Sequence, residues 1–117
     1  MNKNDSLYIY HIYTSILKIE KYLNMITEDN FFEDDKTQDA VIRQFEILGE
    51  ATKNLSPEFR AKYSNIPWKD IAGMRDKLIH DYMGVDLDFI WQAYKKDIPF
   101  LKSSIKVIIS DLGLTIN

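Results

Sequence analysis

The chain has 117 residues, 45% of them hydrophobic, which is enough for one packed domain and too little for two. It contains no cysteine, which excludes disulfides and thiolate metal sites and fits a reducing, cytoplasmic setting. A net charge of −3 excludes a general nucleic-acid coat with a basic face, so any contact with RNA is expected to be local.

The N-terminal run Met1-Asn-Lys-Asn-Asp-Ser6 lacks a basic segment leading into an apolar stretch. No apolar run approaches the roughly 20 residues needed to span a bilayer, so a soluble protein without membrane association is expected.

Only four glycines and three prolines punctuate the chain, and apolar residues recur every three or four positions. The expected fold is all-α, an antiparallel bundle of four to five helices forming a single domain over residues 1–117. The first helix is predicted from Ser6, with Asp5 as N-cap, to about Ile26. Its buried stripe is Ile9, Ile12, Ile16, Ile19, Leu23 and Ile26. Thr27 to Lys36 reads as a polar, acidic connection.

A second helix is expected from about Thr37 to Asn54, with Val41, Phe45, Leu48, Ala51 or Thr52, and Leu55 on one side. Ser56-Pro57 pairs an N-cap with proline at the first helical position and opens a short turn of helix through Tyr63. Asn65-Ile66-Pro67 repeats the signal and opens a helix carrying Trp68, Ile71, Leu78 and Ile79, expected to stop at Gly84. The last helix starts near Asp86 or Asp88. Leu87, Trp91, Tyr94, Ile98, Leu101, Ile105 and Ile108 follow a 4-3-4-3-4-3 spacing that runs straight across Pro99. One long helix kinked at Pro99 is therefore predicted, although an interior proline removes a hydrogen bond at a cost of about 3 kcal/mol.

The run Arg75-Asp-Lys-Leu-Ile-His80-Asp-Tyr82 gathers chemistry into one or two helical turns. A guanidinium offers a planar fork of donors that fits phosphate oxygens. An imidazole can take and give a proton near neutrality. On a continuous helix Arg75 and His80 lie about 140° apart, so another device, such as a second copy of the motif across a dimer interface, must bring them together. Asp76 falls four residues before His80, on one face, where it could orient the imidazole. The plain alternative is a solvated helix end, where cations suit the C-terminal pole of the macrodipole.

Arg75-x4-His80-x-Tyr82, with Asp76 after the arginine, resembles the signature of HEPN-superfamily ribonucleases. The likeness is to the HepT-like toxins paired with minimal nucleotidyltransferase antitoxins. Three further segments resemble that family: Asp39-Ala40-Val41-x-Arg43-x-x-Glu46-x-x-Gly49-Glu50-Ala51, Ile66-Pro67-Trp68-Lys69-Asp70-Ile71-Ala72-Gly73-Met74, and Val85-Asp86-Leu87-Asp88 with Trp91 and Asp97-Ile98-Pro99. The resemblance covers roughly residues 35 to 102. Asp81 stands where many relatives carry glutamate.

The resemblance implies an endoribonuclease toxin of a type VII toxin–antitoxin system, acting by metal-independent attack of the RNA 2′-hydroxyl. His80 is then the general base or acid, Arg75 binds the phosphate, and Asp76 orients the site. Tyr82 is the acceptor of AMP transferred by the nucleotidyltransferase partner. Two protomers are expected to share one cleft as a homodimer, and neither cofactor nor metal is called for. A non-catalytic module that binds a nucleotide or a partner through the same residues is the competing expectation.

Smaller features remain. His11, amid Tyr8, Tyr10 and Tyr13, reads as a surface or interface residue and not a metal ligand, because no third partner accompanies the two histidines. Lys95-Lys96 and Arg60-x-Lys62 could add positive potential along an RNA path. Gly73 could allow close approach of a second helix, at about 1 kcal/mol relative to alanine.

Overall fold

The computed structural model describes residues 3–80 and 84–115. Among these residues the regular structure is helical apart from a two-residue antiparallel ladder. Helix α1 spans Lys3–Leu23, α2 Glu28–Phe32, α3 Asp35–Lys53, α4 Pro57–Lys62, α5 Trp68–Ala72 and α6 Met74–Leu78. Strand β1 (Ile79–His80) then pairs with β2 (Gly84–Val85), and α7 (Leu87–Gln92) leads through a π-helical turn, Ala93–Asp97, into α8 (Ile98–Leu112).

Helices α1 and α3 form the central pair, with α8 against α1 and with α5 and α6 against α3. Their directions follow from two bonds between helices remote in sequence. Asp5 at the start of α1 accepts from Ser56, just past the end of α3, and Lys102 early in α8 meets Glu20 late in α1 at 2.9 Å. Both neighbours of α1 therefore run antiparallel to it. The predicted stripes supply most of the core; Leu87 and Tyr94 are only partly buried against it, as is Ile26, which lies past the end of α1 at Leu23. Ile9, Ile12, Ile16 and Ile19 are fully buried, as are Val41, Phe45 and Leu48 of α3, and Trp91, Ile98, Leu101, Ile105 and Ile108 close the bundle from the other side. Each such side chain contributes about 1.5–3 kcal/mol of burial.

Four local features differ from the sequence reading. Asp5 is not a cap, since α1 already starts at Lys3; its buried carboxyl group accepts from the Ser56 N–H at 2.8 Å and hydroxyl at 2.7 Å. Ser56 Oγ in turn accepts from the Phe59 N–H, so one chain of bonds ties α1 to the cap of α4.

The acidic connection contains α2. Thr27 caps it, accepting from the Asn30 N–H at 3.1 Å, and Phe31 anchors it in the core against Trp91. The helix expected to run from Pro67 to Gly84 breaks at Gly73 and ends at Leu78, whose carbonyl accepts from the Asp86 N–H at 2.8 Å. Gly84, expected as the helix stop, instead sits in the ladder opposite His80 with φ +84°, which a side chain rarely tolerates.

The disturbance expected at Pro99 takes the form of the π turn directly before it, in which the Ile98 N–H reaches back to the Ala93 carbonyl. The wider turn relieves the clash a proline ring makes with the carbonyl four residues earlier, and the apolar seam continues through it.

Candidate active site

Arg75 stands on the five-residue helix α6, between the break at Gly73 and the start of the ladder. Met74 and Leu78 are the buried side of α6, so Arg75, Asp76 and Lys77 are turned outward. The Arg75 guanidinium is nevertheless held. Its Nε donates to Glu46 Oε2 of α3 at 3.2 Å, and Asp76 Oδ1 lies 3.7 Å from Nη1, an ionic contact longer than a hydrogen bond. Half of the arginine side chain is exposed, against 29% of Glu46 and 75% of Asp76. The result is a fixed cation open to solvent, flanked by two carboxylates.

Position 46 was legible only as one residue of a matching segment. Its role needed the third dimension, because 29 residues separate it from Arg75. The local cause is Gly49. A Cβ there would stand 3.3 Å from the Ala72 carbonyl oxygen, so α3 crosses the end of α5 as closely as a backbone allows. Glu46 is three residues before Gly49 and Arg75 three after Ala72, so one crossing places the ion pair. Gly73, by contrast, caps α5, and a Cβ added to it would meet nothing closer than its own helix's Lys69 carbonyl at 3.4 Å.

His80 follows Arg75 by five residues but not along a helix. Its backbone pairs with Gly84 in the ladder, so the rotation of about 140° and the shared face with Asp76, both of which presume an unbroken helix, do not apply. The side chain of His80 lies outside the described part of the structure, as does the whole of Tyr82. In sequence Tyr82 belongs to the connection between β1 and β2.

The other candidates have defined places. His11 lines an open groove of about 270 Å³ between α1 and α3, with Tyr8, Arg43, Glu46 and Glu50. Lys95 lies 5.9 Å from the Trp91 ring and 5.8 Å from the Tyr94 ring, and Lys62 lies 5.5 Å from that of Tyr63, so both sit over aromatic faces. Among the described residues, no three His, Cys, Asp or Glu side chains gather in an arrangement that could hold a metal ion. A separate apolar groove of about 230 Å³, lined by Met74, Lys77, Phe89 and Phe100, includes neither Arg75 nor Asp76.

Fold and site define a class: a small antiparallel helical domain presenting an anchored, solvent-open arginine just before a two-stranded ladder that includes His80. The family described as "Ribonuclease HepT-like" matches residues 12–108, and the chain belongs to this HepT-like ribonuclease family. It is 54% identical over 112 residues to a Methanocaldococcus jannaschii protein named "Gamma-glutamylcyclotransferase and putative RNase"; the match covers 96% of this chain and 50% of that protein, so the chain spans half the length of that relative. It is 45% identical over 102 residues to the "Probable ribonuclease HepT" of Thermococcus cleftensis, covering 87% of this chain and 93% of the relative. A "Putative RNase" of Caldanaerobacter subterraneus is 44% identical over 102 residues, covering 87% and 91%. No solved structure matches the chain.

Proposed function

We propose that this protein is a metal-independent endoribonuclease, the toxin of a type VII toxin–antitoxin pair. The observation that carries the reading is the half-exposed guanidinium of Arg75, hydrogen-bonded to Glu46 through Nε and in a longer ionic contact with Asp76 through Nη1, in a chain of the HepT-like ribonuclease family. Such a fork suits two oxygens of one phosphate.

The chemistry is a transesterification. The RNA 2′-oxygen attacks the adjacent phosphorus, its proton passes to a base, the bond from phosphorus to the 5′-oxygen breaks, and an acid protonates the leaving oxygen. The products are a 2′,3′-cyclic phosphate and a 5′-hydroxyl. His80 takes the role of base or acid, and Arg75 binds the phosphate and stabilises the charge that builds on its oxygens. One step needs a base and an acid together, and a homodimer sharing one cleft supplies two imidazoles. Asp76, beside Arg75, completes the acidic flank and orients the site.

Control falls to Tyr82. Its hydroxyl oxygen attacks the α-phosphorus of ATP on a minimal nucleotidyltransferase partner, pyrophosphate leaves, and AMP remains on the ring. The added phosphate is negative and bulky, and two residues from His80 it repels and obstructs the substrate phosphate.

The test is cleavage of total and transfer RNA by unmodified protein in EDTA, beside Arg75→Ala and His80→Ala. Chelator-resistant cutting lost in both variants is expected. Cutting that survives in His80→Ala removes the histidine mechanism, and no cutting by protein whose mass excludes AMP on Tyr82 favours a nucleotide- or partner-binding module. Incubation with the partner and ATP should add the mass of AMP to the wild type and not to Tyr82→Phe.

A further inference from the structure

We propose that Glu46 is a positioning residue for this RNA cleavage, acting through Arg75; the inference rests on the ribonuclease reading. An arginine on the exposed face of a five-residue helix has many rotamers, and binding phosphate from such an ensemble costs the entropy of choosing one. Glu46 makes that choice in advance. Its carboxylate accepts from Nε, the donor nearest the backbone, at 3.2 Å, so the anchor sits on the inner edge of the fork, and at the far edge Nη1 meets the Asp76 carboxylate only at 3.7 Å, a contact that two phosphate oxygens on the Nη pair would replace.

The anchor is rigid because its own helix is. Phe45 and Leu48, which bracket Glu46 and Ile47 on α3, are fully buried, and Gly49 lies against the Ala72 carbonyl one turn on. Asp76 cannot serve equally. It sits on the same short helix as Arg75, is three-quarters exposed, and stands 3.7 Å from Nη1, beyond hydrogen-bond range.

A carboxylate beside a phosphate-binding arginine also opposes substrate binding. Its repulsion therefore offsets the affinity gained by holding the fork in advance, and this separates positioning from plain electrostatic attraction. Removing it should slow the chemical step without weakening binding.

The experiment is the cleavage kinetics of Glu46→Ala and Glu46→Gln beside wild type, with folding followed by circular dichroism. Glu46→Ala is expected to lose about tenfold in kcat, with KM unchanged or lower. Glu46→Gln, which keeps an oxygen acceptor without the charge, should return kcat to within about threefold of wild type. Glu46→Met, similar in length and lacking the acceptor, should repeat the alanine result and serves if the alanine variant does not fold. Wild-type kcat in the alanine or methionine variant overturns the proposal, as does a loss confined to KM or a glutamine variant as slow as alanine. If wild type itself leaves RNA uncut, the ribonuclease reading fails and the positioning role fails with it. A wild type that cuts beside an equally fast Glu46→Ala removes the positioning role alone.

Discussion

Single side chains fix the ends of this bundle. Asp5 is buried, and its carboxyl group accepts twice from Ser56, whose hydroxyl caps α4. Removing it leaves Ser56 without those partners, so Asp5→Ala should destabilise the fold by about 2 kcal/mol, measured by urea unfolding. Ser56→Ala should lose part of the same energy, with the double variant costing less than the sum. Asp34 is a second cap: Oδ1 accepts from the Thr37 N–H at 3.1 Å and Oδ2 from its hydroxyl at 2.6 Å. These bonds, the hydroxyl's first, hold its carboxyl below the ordinary carboxylate range. A depressed carboxylate stabilises the fold above its unfolded pKa and loses that contribution as pH falls through the folded value. Asp34→Ala should thus be less stable than wild type at neutral pH and converge with it in acid, which paired denaturation curves at both pH values would record.

At the scale of elements, periodicity was the reliable signal. The stripes on α1, α3 and α8 were read from spacing because a 3.6-residue period against water specifies the buried face of any long helix. The short elements were not legible in this way. Five-residue α2 is defined by a Thr27 cap and one Phe31 anchor, and α6 ends at Leu78 in favour of a backbone bond from Asp86, eight residues on. Long-range bonds of that kind leave no periodic trace. Gly73 shortly precedes the motif in the sequence, yet the close helix crossing is at Gly49. Gly49→Leu should therefore cost about 2 kcal/mol by forcing α3 off the Ala72 carbonyl, whereas Gly73→Ala, with ordinary backbone dihedrals, should change stability by less than about 1 kcal/mol. Thermal melts of the two variants would separate the positions.

For the molecule as a whole, a net charge of −3 and an arginine flanked by two carboxylates mean that, in the proposed function, RNA is met at one small place. Recognition under that proposal is expected to depend on local shape and on the 2′-hydroxyl, not on a broad basic surface. The residues of the motif are legible in the sequence as a group, and the family they resemble is the one whose model matches residues 12–108. What spacing could not give was the arrangement, because the motif leaves its helix at Leu78 and Arg75 takes its anchor from α3. In the proposed reaction the RNA itself supplies the nucleophile. The most direct measurement compares an RNA oligonucleotide cut by the unmodified protein with the same oligonucleotide carrying one 2′-deoxy nucleotide on the 5′ side of the cut phosphate. Loss of cleavage at that bond alone, with 2′,3′-cyclic phosphate ends on the unsubstituted RNA, is the predicted result. Undiminished cleavage at the deoxy position would contradict the account, because water or another nucleophile would then be attacking the phosphorus.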